Sequence, residues 1–296
     1  MKEKITELSN LEKLRKQIRN NYILITTIYI TIIVLLTIYI NNIVLKSILI
    51  LLILTILIET YNLIDKTSKK LKKYKELYRN FFIEKALPNI NMNNLVYEQN
   101  SGHVKNNILD TKLFEVTKDN IEFNSNNLIR GYKRNIYFHQ ADLLIKKKSN
   151  KQEIPDKLIF KGKYIIITLP KQLKSSIKII DKNIKIKENN NKIKTNNQKF
   201  NQIFNIYSSS NDEVLNILTE KLQKDLLCIK ELTNNKILLC LKDNEFHLAI
   251  YTNKGSFLPT NIFSKINPST SIKEIIEEFN LTEKILEILE DNNILK

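Results

Sequence analysis

The residue types able to do chemistry are few and widely spaced. His103, His139 and His247 are the only histidines. None has a second histidine four residues on, as a zinc-binding histidine pair on a helix face requires. His139 precedes Asp142 by three residues, a spacing open to an acid/base pair and, more plainly, to a surface hydrogen bond. Cys228 and Cys240 fall in apolar runs and read as reduced, inert core thiols. A cysteine nucleophile would need a base beside it, which the sequence does not supply. Gly131, between Arg130 and Tyr132-Lys133-Arg134, suits a turn better than a phosphate nest. Four glycines in 296 residues leave little for nucleotide-cradling loops, and no P-loop, dinucleotide, metalloprotease, serine-hydrolase or calcium-loop pattern occurs. No catalytic residue, cofactor or metal ligand is expected.

The elements that would position any site begin with an apolar block. Every residue from Tyr22 to Ile40 is apolar, Thr or Tyr, close to the roughly 20 residues that cross a hydrocarbon core of about 30 Å. Threonine hydroxyls there can bond back to helix carbonyls. Asn41-Asn42 interrupts, and Ile43 to Ile58 is apolar again except for Lys46, Ser47 and Thr55; the Lys46 stem can snorkel. The run is too long for a signal-peptide core and a second follows at once. A buried soluble hairpin is the alternative, but apolarity on all faces points to two transmembrane helices over 22–58.

Basic residues set the orientation. Residues 1–21 form a basic tail, and Lys66, Lys69, Lys70, Lys72, Lys73, Lys75, Arg79 and Lys85 follow the second run. The positive-inside rule places both ends and the C-terminal domain in the cytoplasm, at the inner membrane. Lys66, Lys69, Lys70, Lys72, Lys73, Lys75 and Arg79 are the expected contacts to anionic lipid headgroups, at around 1 kcal/mol each. Asn280-Leu281-Thr282 then matches a glycosylation pattern by chance. The net charge of +16 has a second source: sixteen lysines between Lys146 and Lys199 against four acidic residues. Nucleic-acid binders usually interleave arginine and aromatics in such blocks, and no arginine follows Arg134. A solvated or membrane-facing surface is the simpler reading, an acidic protein partner the next.

Leu63, Ile64, Leu71, Tyr74, Leu77, Tyr78 and Phe81 recur at helical steps, so 59–87 reads as a basic juxtamembrane helix ended by Pro88. Residues 88–266 then read as a cytosolic α+β domain with a mostly antiparallel sheet and packed helices. Strands are expected around 95–97, 121–123, 135–138, 157–160 and 164–169, with Gly162 as a turn between the last two. Ile177–Lys187 and Lys192–Lys194 alternate like two lysine-guarded edge strands, or form an Asn/Lys linker. A helix capped near Ser210 runs through Leu226, and 236–241 with 245–251 form a hairpin. Residues 267–296 close the chain as an acidic helical segment, broken near Asn280 if anywhere.

This order of features resembles a family of uncharacterised bacterial membrane-anchored proteins, classed only as a domain of unknown function. The resembling residues are Tyr74-Lys75 and Tyr78; Leu113-Phe114; Gly131 with Ile136-Tyr137-Phe138; and Ile159-Phe160-Lys161-Gly162. They continue through Phe200–Phe204, Ile206-Tyr207-Ser208, Leu218, Leu222 and Phe246–Ile250. Asn126-Asn127 departs from the family's acidic position. The resemblance implies a two-helix membrane hairpin and a cytosolic α+β domain, and brings no activity with it.

The resulting expectation is a membrane-tethered binding or scaffolding module, with the lipid bilayer and a cytosolic protein as partners. A membrane-associated enzyme is the alternative, and a nucleic-acid tether through Lys146–Lys199 a weaker one.

Overall fold

The computed structural model describes residues 2–37, 43–149, 155–184, 186, 191–259 and 261–292; the side chains of 2–5, 35–37 and 43–49 lie outside that description, Lys46 among them. The chain divides into two compact units, Met1–Ala86 with Phe257–Glu274, and Leu87–Ser256 with Ile275–Lys296.

The first unit is a helical hairpin of α1 (Lys2–Thr37) and α2 (Ile43–Ala86). Its seam follows a seven-residue rhythm. On α1 the buried side chains are Leu11, Ile18, Ile25 and Ile32, with Arg15 between; on α2 Ile53, Thr60, Thr67, Tyr74 and Phe81 keep the same spacing, and Tyr78, Phe82, Ile83 and Ala86 are buried besides. That repeat keeps one stripe of each helix against the other, as in an antiparallel coiled coil. Asn21 donates to Thr67 Oγ1 at 2.9 Å and Lys70 to Gln17 at 3.3 Å, fixing the register. The seam runs without a break from the polar half into the apolar half. Segment 257–274 is held to it by Arg15, which pairs with Glu12 and donates to Ile262 O at 2.6 Å. Hydrogen bonding to Arg15 holds the Glu12 carboxyl below its ordinary range.

Among the described residues no helix is long and apolar enough to cross a membrane. The transmembrane hairpin expected over 22–58 is therefore not shown; what the fold shows is a helical hairpin. The longest apolar stretch runs into 38–42, outside the described residues.

The second unit is α+β. A nine-stranded sheet, antiparallel at every pairing, is ordered β1-β2-β3-β4-β9-β8-β5-β7-β6. Its strands are β1 (Asn93–Glu98), β2 (Ile121–Lys133), β3 (Ile136–Lys147), β4 (Lys157–Thr168), β5 (Ile177–Asp181), β6 (Asn191–Ile193), β7 (Phe204–Ser208), β8 (Ile237–Lys242) and β9 (Glu245–Ile250). The helices are α3 (Lys105–Asp110), α4 (Gln198–Ile203), α5 (Asn211–Ile217), α6 (Glu220–Thr233) and α7 (Pro268–Asp291), the last beginning in the first unit. One sheet face carries Leu143, Ile145, Tyr164, Ile166, Ala249, Cys240 and Ile180, packed with Ile108 of α3 and with Leu113 and Phe114. The other is tied to α7 by Gln140–Thr282, Lys163–Glu278 and Lys133–Glu283, and to α6 by Asp181–Lys230.

Several local expectations are corrected. Gly162 is not a turn: β4 runs straight through it, and a Cβ there would sit 1.9 Å from Ile250 O, so glycine is what lets β9 approach. Gly131 also lies inside a strand, where a Cβ would meet Leu95 Cδ2 at 2.8 Å. The turn falls at Arg134 and Asn135, both left-handed with φ 47° and 69°, as a two-residue hairpin requires. β5 is not an edge strand but lies between β8 and β7; its Lys178 is buried. The helix through Leu226 is two helices, each with its own N-cap, Ser210 and Thr219. α7 is unbroken at Asn280.

Candidate functional site

Two regions carry unusual chemistry, one on each unit. On the hairpin it is exposed apolar surface. Ile23, Leu24, Ile30, Ile33 and Val34 of α1, and Ile50, Leu51, Leu52, Leu54 and Ile58 of α2, are each at least half exposed, with Leu51 at 64%. Isolated exposed apolar residues are ordinary, whereas a contiguous band marks a surface that meets something apolar. Past Ile58 the exposed side of α2 becomes basic. Lys66, Lys69, Lys72 and Lys73 are exposed, while Lys70, Lys75 and Arg79 are half-buried. Lys69 pairs with Asp65 at 2.6 Å, and Lys85 lies 3.6 Å over the Phe81 ring. The predicted headgroup contacts therefore share one helix but do not form one uniform face.

Between α1 and α2, in the apolar half, lies a groove of about 580 Å³. It is mostly apolar, and Thr27, Thr31, Thr55, Glu59, Thr60 and Asn62 all line it.

The second unit gathers the three histidines that looked unrelated in sequence. His139 on β3 and His247 on β9 both pair across Ile166 of β4, so they share a face. His103, just before α3, lies against them: its ring is 5.0 Å from that of His139 and 5.4 Å from Tyr164, and Tyr164 is 6.0 Å from His247. His103 Nε2 donates to Tyr164 O at 2.9 Å, and His247 Nε2 to Glu245 at 3.1 Å. The Nδ1 atoms of His103 and His247 are both buried without a hydrogen-bond partner. Burial, reinforced by His139, pushes His103 down to about 3. Burial also lowers His139, against the pull of Glu245. The hydrogen bond from His247 lowers Glu245. This is a cluster of three imidazoles beside a carboxylate. Among the described residues no group of three or more His, Cys, Asp or Glu is arranged to hold a metal ion.

The remaining candidates separate. His139 and Asp142 stand on opposite faces of β3, since three residues along a strand reverse the side, and Asp142 binds Ser256 and Asn127 instead. Cys240 is fully buried, with His247 as its cross-strand partner. Cys228 is exposed, contrary to the core position expected. The lysines of 146–199 are dispersed: Lys163 is buried against Glu278, Lys146 pairs with Glu122 and Lys199 with Glu231. Neither the heptad seam nor the histidine cluster was read from the sequence. The first was visible at Leu11, Ile18, Ile25 and Ile32; the second had no local signal.

Residues 158–290 match a family described as a protein of unknown function, DUF3137. No curated protein matches the chain. Among solved structures, the crystal structure of the mycobacterial trehalose monomycolate transport factor A, TtfA, is similar at 10% identity, over 69% of this chain and 95% of that one, with a TM-score of 0.38.

Proposed function

We propose that the chain is a membrane-anchored binding or scaffolding module. The apolar half of its hairpin, over 22–58, inserts in the inner membrane, with both termini and the α+β unit on the cytoplasmic side. The observation that carries this reading is the band of exposed Ile, Leu and Val on α1 and α2. At about 25 cal/mol per Å² of apolar area, leaving such a band in water is costly, and hydrocarbon removes the cost. The lysines that follow on α2 suit the anionic surface of a cytoplasmic leaflet, and the sheet unit supplies the binding platform. His103, His247 and Cys240 are buried within the sheet unit.

Membrane fractionation with protease accessibility tests the reading. The full chain is expected in the membrane pellet after a carbonate wash, its C-terminal unit cut only after spheroplasts are lysed. Release by carbonate would overturn the anchor; cleavage in intact spheroplasts would reverse the orientation.

A further inference from the structure

The two helices of the hairpin do not turn from apolar to polar at the same level. The bonds Asn21–Thr67 and Lys70–Gln17 fix which residues stand opposite each other, and the seven-residue seam carries that register into the apolar half. Tyr29 is then about level with Ile58, and Leu24 with Leu63. Over this stretch α1 reads LITTIY (24–29) while α2 reads ETYNLI (59–64). Leu24 is 50% exposed and Tyr29 43%; Glu59 and Asn62 are exposed at the same height. Hydrocarbon drawn up to Leu24 would submerge the Glu59 carboxylate, which finds no partner there. Water reaching down to Ile58 would leave Leu24 and the tyrosine rings wet. Six residues rise about 9 Å, close to the roughly 5–8 Å of one headgroup layer, which accepts both kinds of side chain.

We infer that 24–29 and 59–64 form an interfacial collar in the headgroup layer of the cytoplasmic leaflet, with Tyr29 and Tyr61 as its aromatic contacts to lipid. This rests on the membrane reading above and adds how deep the hairpin sits. The tyrosines carry it furthest. Tyr61, at 72%, is the most exposed large side chain of its class among the described residues, and its hydroxyl has no hydrogen-bond partner among them. An apolar ring with a polar tip is the shape that a membrane–water boundary suits. The two rings also approach one height. Side chains lean toward their helix N-terminus, so Tyr29 on the descending α1 leans toward the cytoplasmic end and Tyr61 on the ascending α2 leans toward the tip. Their Cα atoms start only about 4.5 Å apart in height, and the lean closes that gap. Lys66, two residues beyond Ile64, then stands at the outer edge of the collar.

The chain has no tryptophan, so one introduced indole reports one depth. The full chain carrying Tyr61→Trp, Tyr29→Trp or Leu51→Trp is reconstituted in vesicles of phosphatidylethanolamine and phosphatidylglycerol. The vesicles include lipid with a nitroxide either at the headgroup or deep on an acyl chain. Fluorescence of the Tyr61→Trp and Tyr29→Trp chains is expected to be quenched several-fold more by the headgroup nitroxide than by the deep one, and that of Leu51→Trp the reverse. Quenching of Tyr61→Trp or Tyr29→Trp chiefly by the deep nitroxide, or by neither, overturns the collar. The Leu51→Trp chain separates the two readings. If it is quenched by the deep nitroxide while the tyrosine positions fail, the collar alone falls; if it escapes both nitroxides, the anchor falls and the collar with it.

Discussion

Ser256 donates to Asp142 twice, through its backbone N–H at 3.0 Å and its hydroxyl at 2.7 Å, across 114 residues of sequence. Asn127 Nδ2 reaches the same carboxylate at 2.7 Å, and Tyr97 donates to Asn127 Oδ1 at 3.1 Å. One side chain thus joins β1, β2, β3 and the segment after β9.

Removing that carboxylate strands several donors at once. Hydrogen bonds to charged groups contribute about 1.5–3 kcal/mol each, and orphaned buried donors add to the loss. Asp142→Ala is therefore expected to destabilise the chain by roughly 3 kcal/mol, read as a lower urea midpoint with an unchanged slope. Asp142→Asn is expected to lose less, since an amide oxygen still accepts.

Gly162 and Gly131 make a paired prediction. A Cβ at Gly162 meets the backbone carbonyl of Ile250, while one at Gly131 first meets the Leu95 side-chain tip. Gly162→Ala must push β4 and β9 apart and is expected to cost about 3 kcal/mol or prevent folding; Gly131→Ala costs nearer 1, within the usual span for overpacking. Thermal melts of the two variants rank them.

The histidine cluster makes stability depend on pH with a definite sign. His103 and His139 bind protons less readily folded than unfolded. Above the ordinary value of 6.5 both states are neutral and the stability is fully present. As pH falls below 6.5 the unfolded chain takes up protons first, so stability declines down to about 3. The slope in that window approaches about 1.4 kcal/mol per pH unit for each histidine held neutral. Urea midpoints from pH 8 to pH 4 should show this decline, and His103→Gln should flatten it.

Charge after the hairpin is expected to set its orientation. Replacing Lys66, Lys69, Lys70, Lys72, Lys73, Lys75 and Arg79 together by Gln removes the cytoplasmic bias on that flank. Protease protection in spheroplasts should then become mixed. An unchanged pattern would assign orientation to Lys13, Arg15, Lys16 and Arg19 instead.

Much of the fold was legible where periodicity is local. The β8–β9 hairpin, the cap at Ser210 and the helical run through Tyr74 and Tyr78 all follow from neighbours in sequence. Gly162 and Gly131 misled because glycine marks turns and close strand approach alike, and only the partner strand decides. Lys178 looked like an edge guard because alternation does not reveal how many neighbours a strand has. The histidine cluster was invisible for the same reason: strand order, not spacing, brings residues 103, 139 and 247 together.

The unbroken course of α2 past Ile58 ranks its cations by altitude. At 1.5 Å per residue, a helix standing upright in the proposed anchor lifts Lys66 about 12 Å above Ile58, Lys69 and Lys70 about 17 Å, Lys75 about 25 Å and Arg79 about 31 Å. The headgroup layer is only about 5–8 Å deep, and surface potential fades over a further 8 Å or so. On that reading Lys66 lies within reach of the surface potential, Lys69 and Lys70 at its outer limit, and Lys75 and Arg79 above it. The basic stretch is, on the same reading, a ladder rather than a pad, with its upper rungs on the aqueous side.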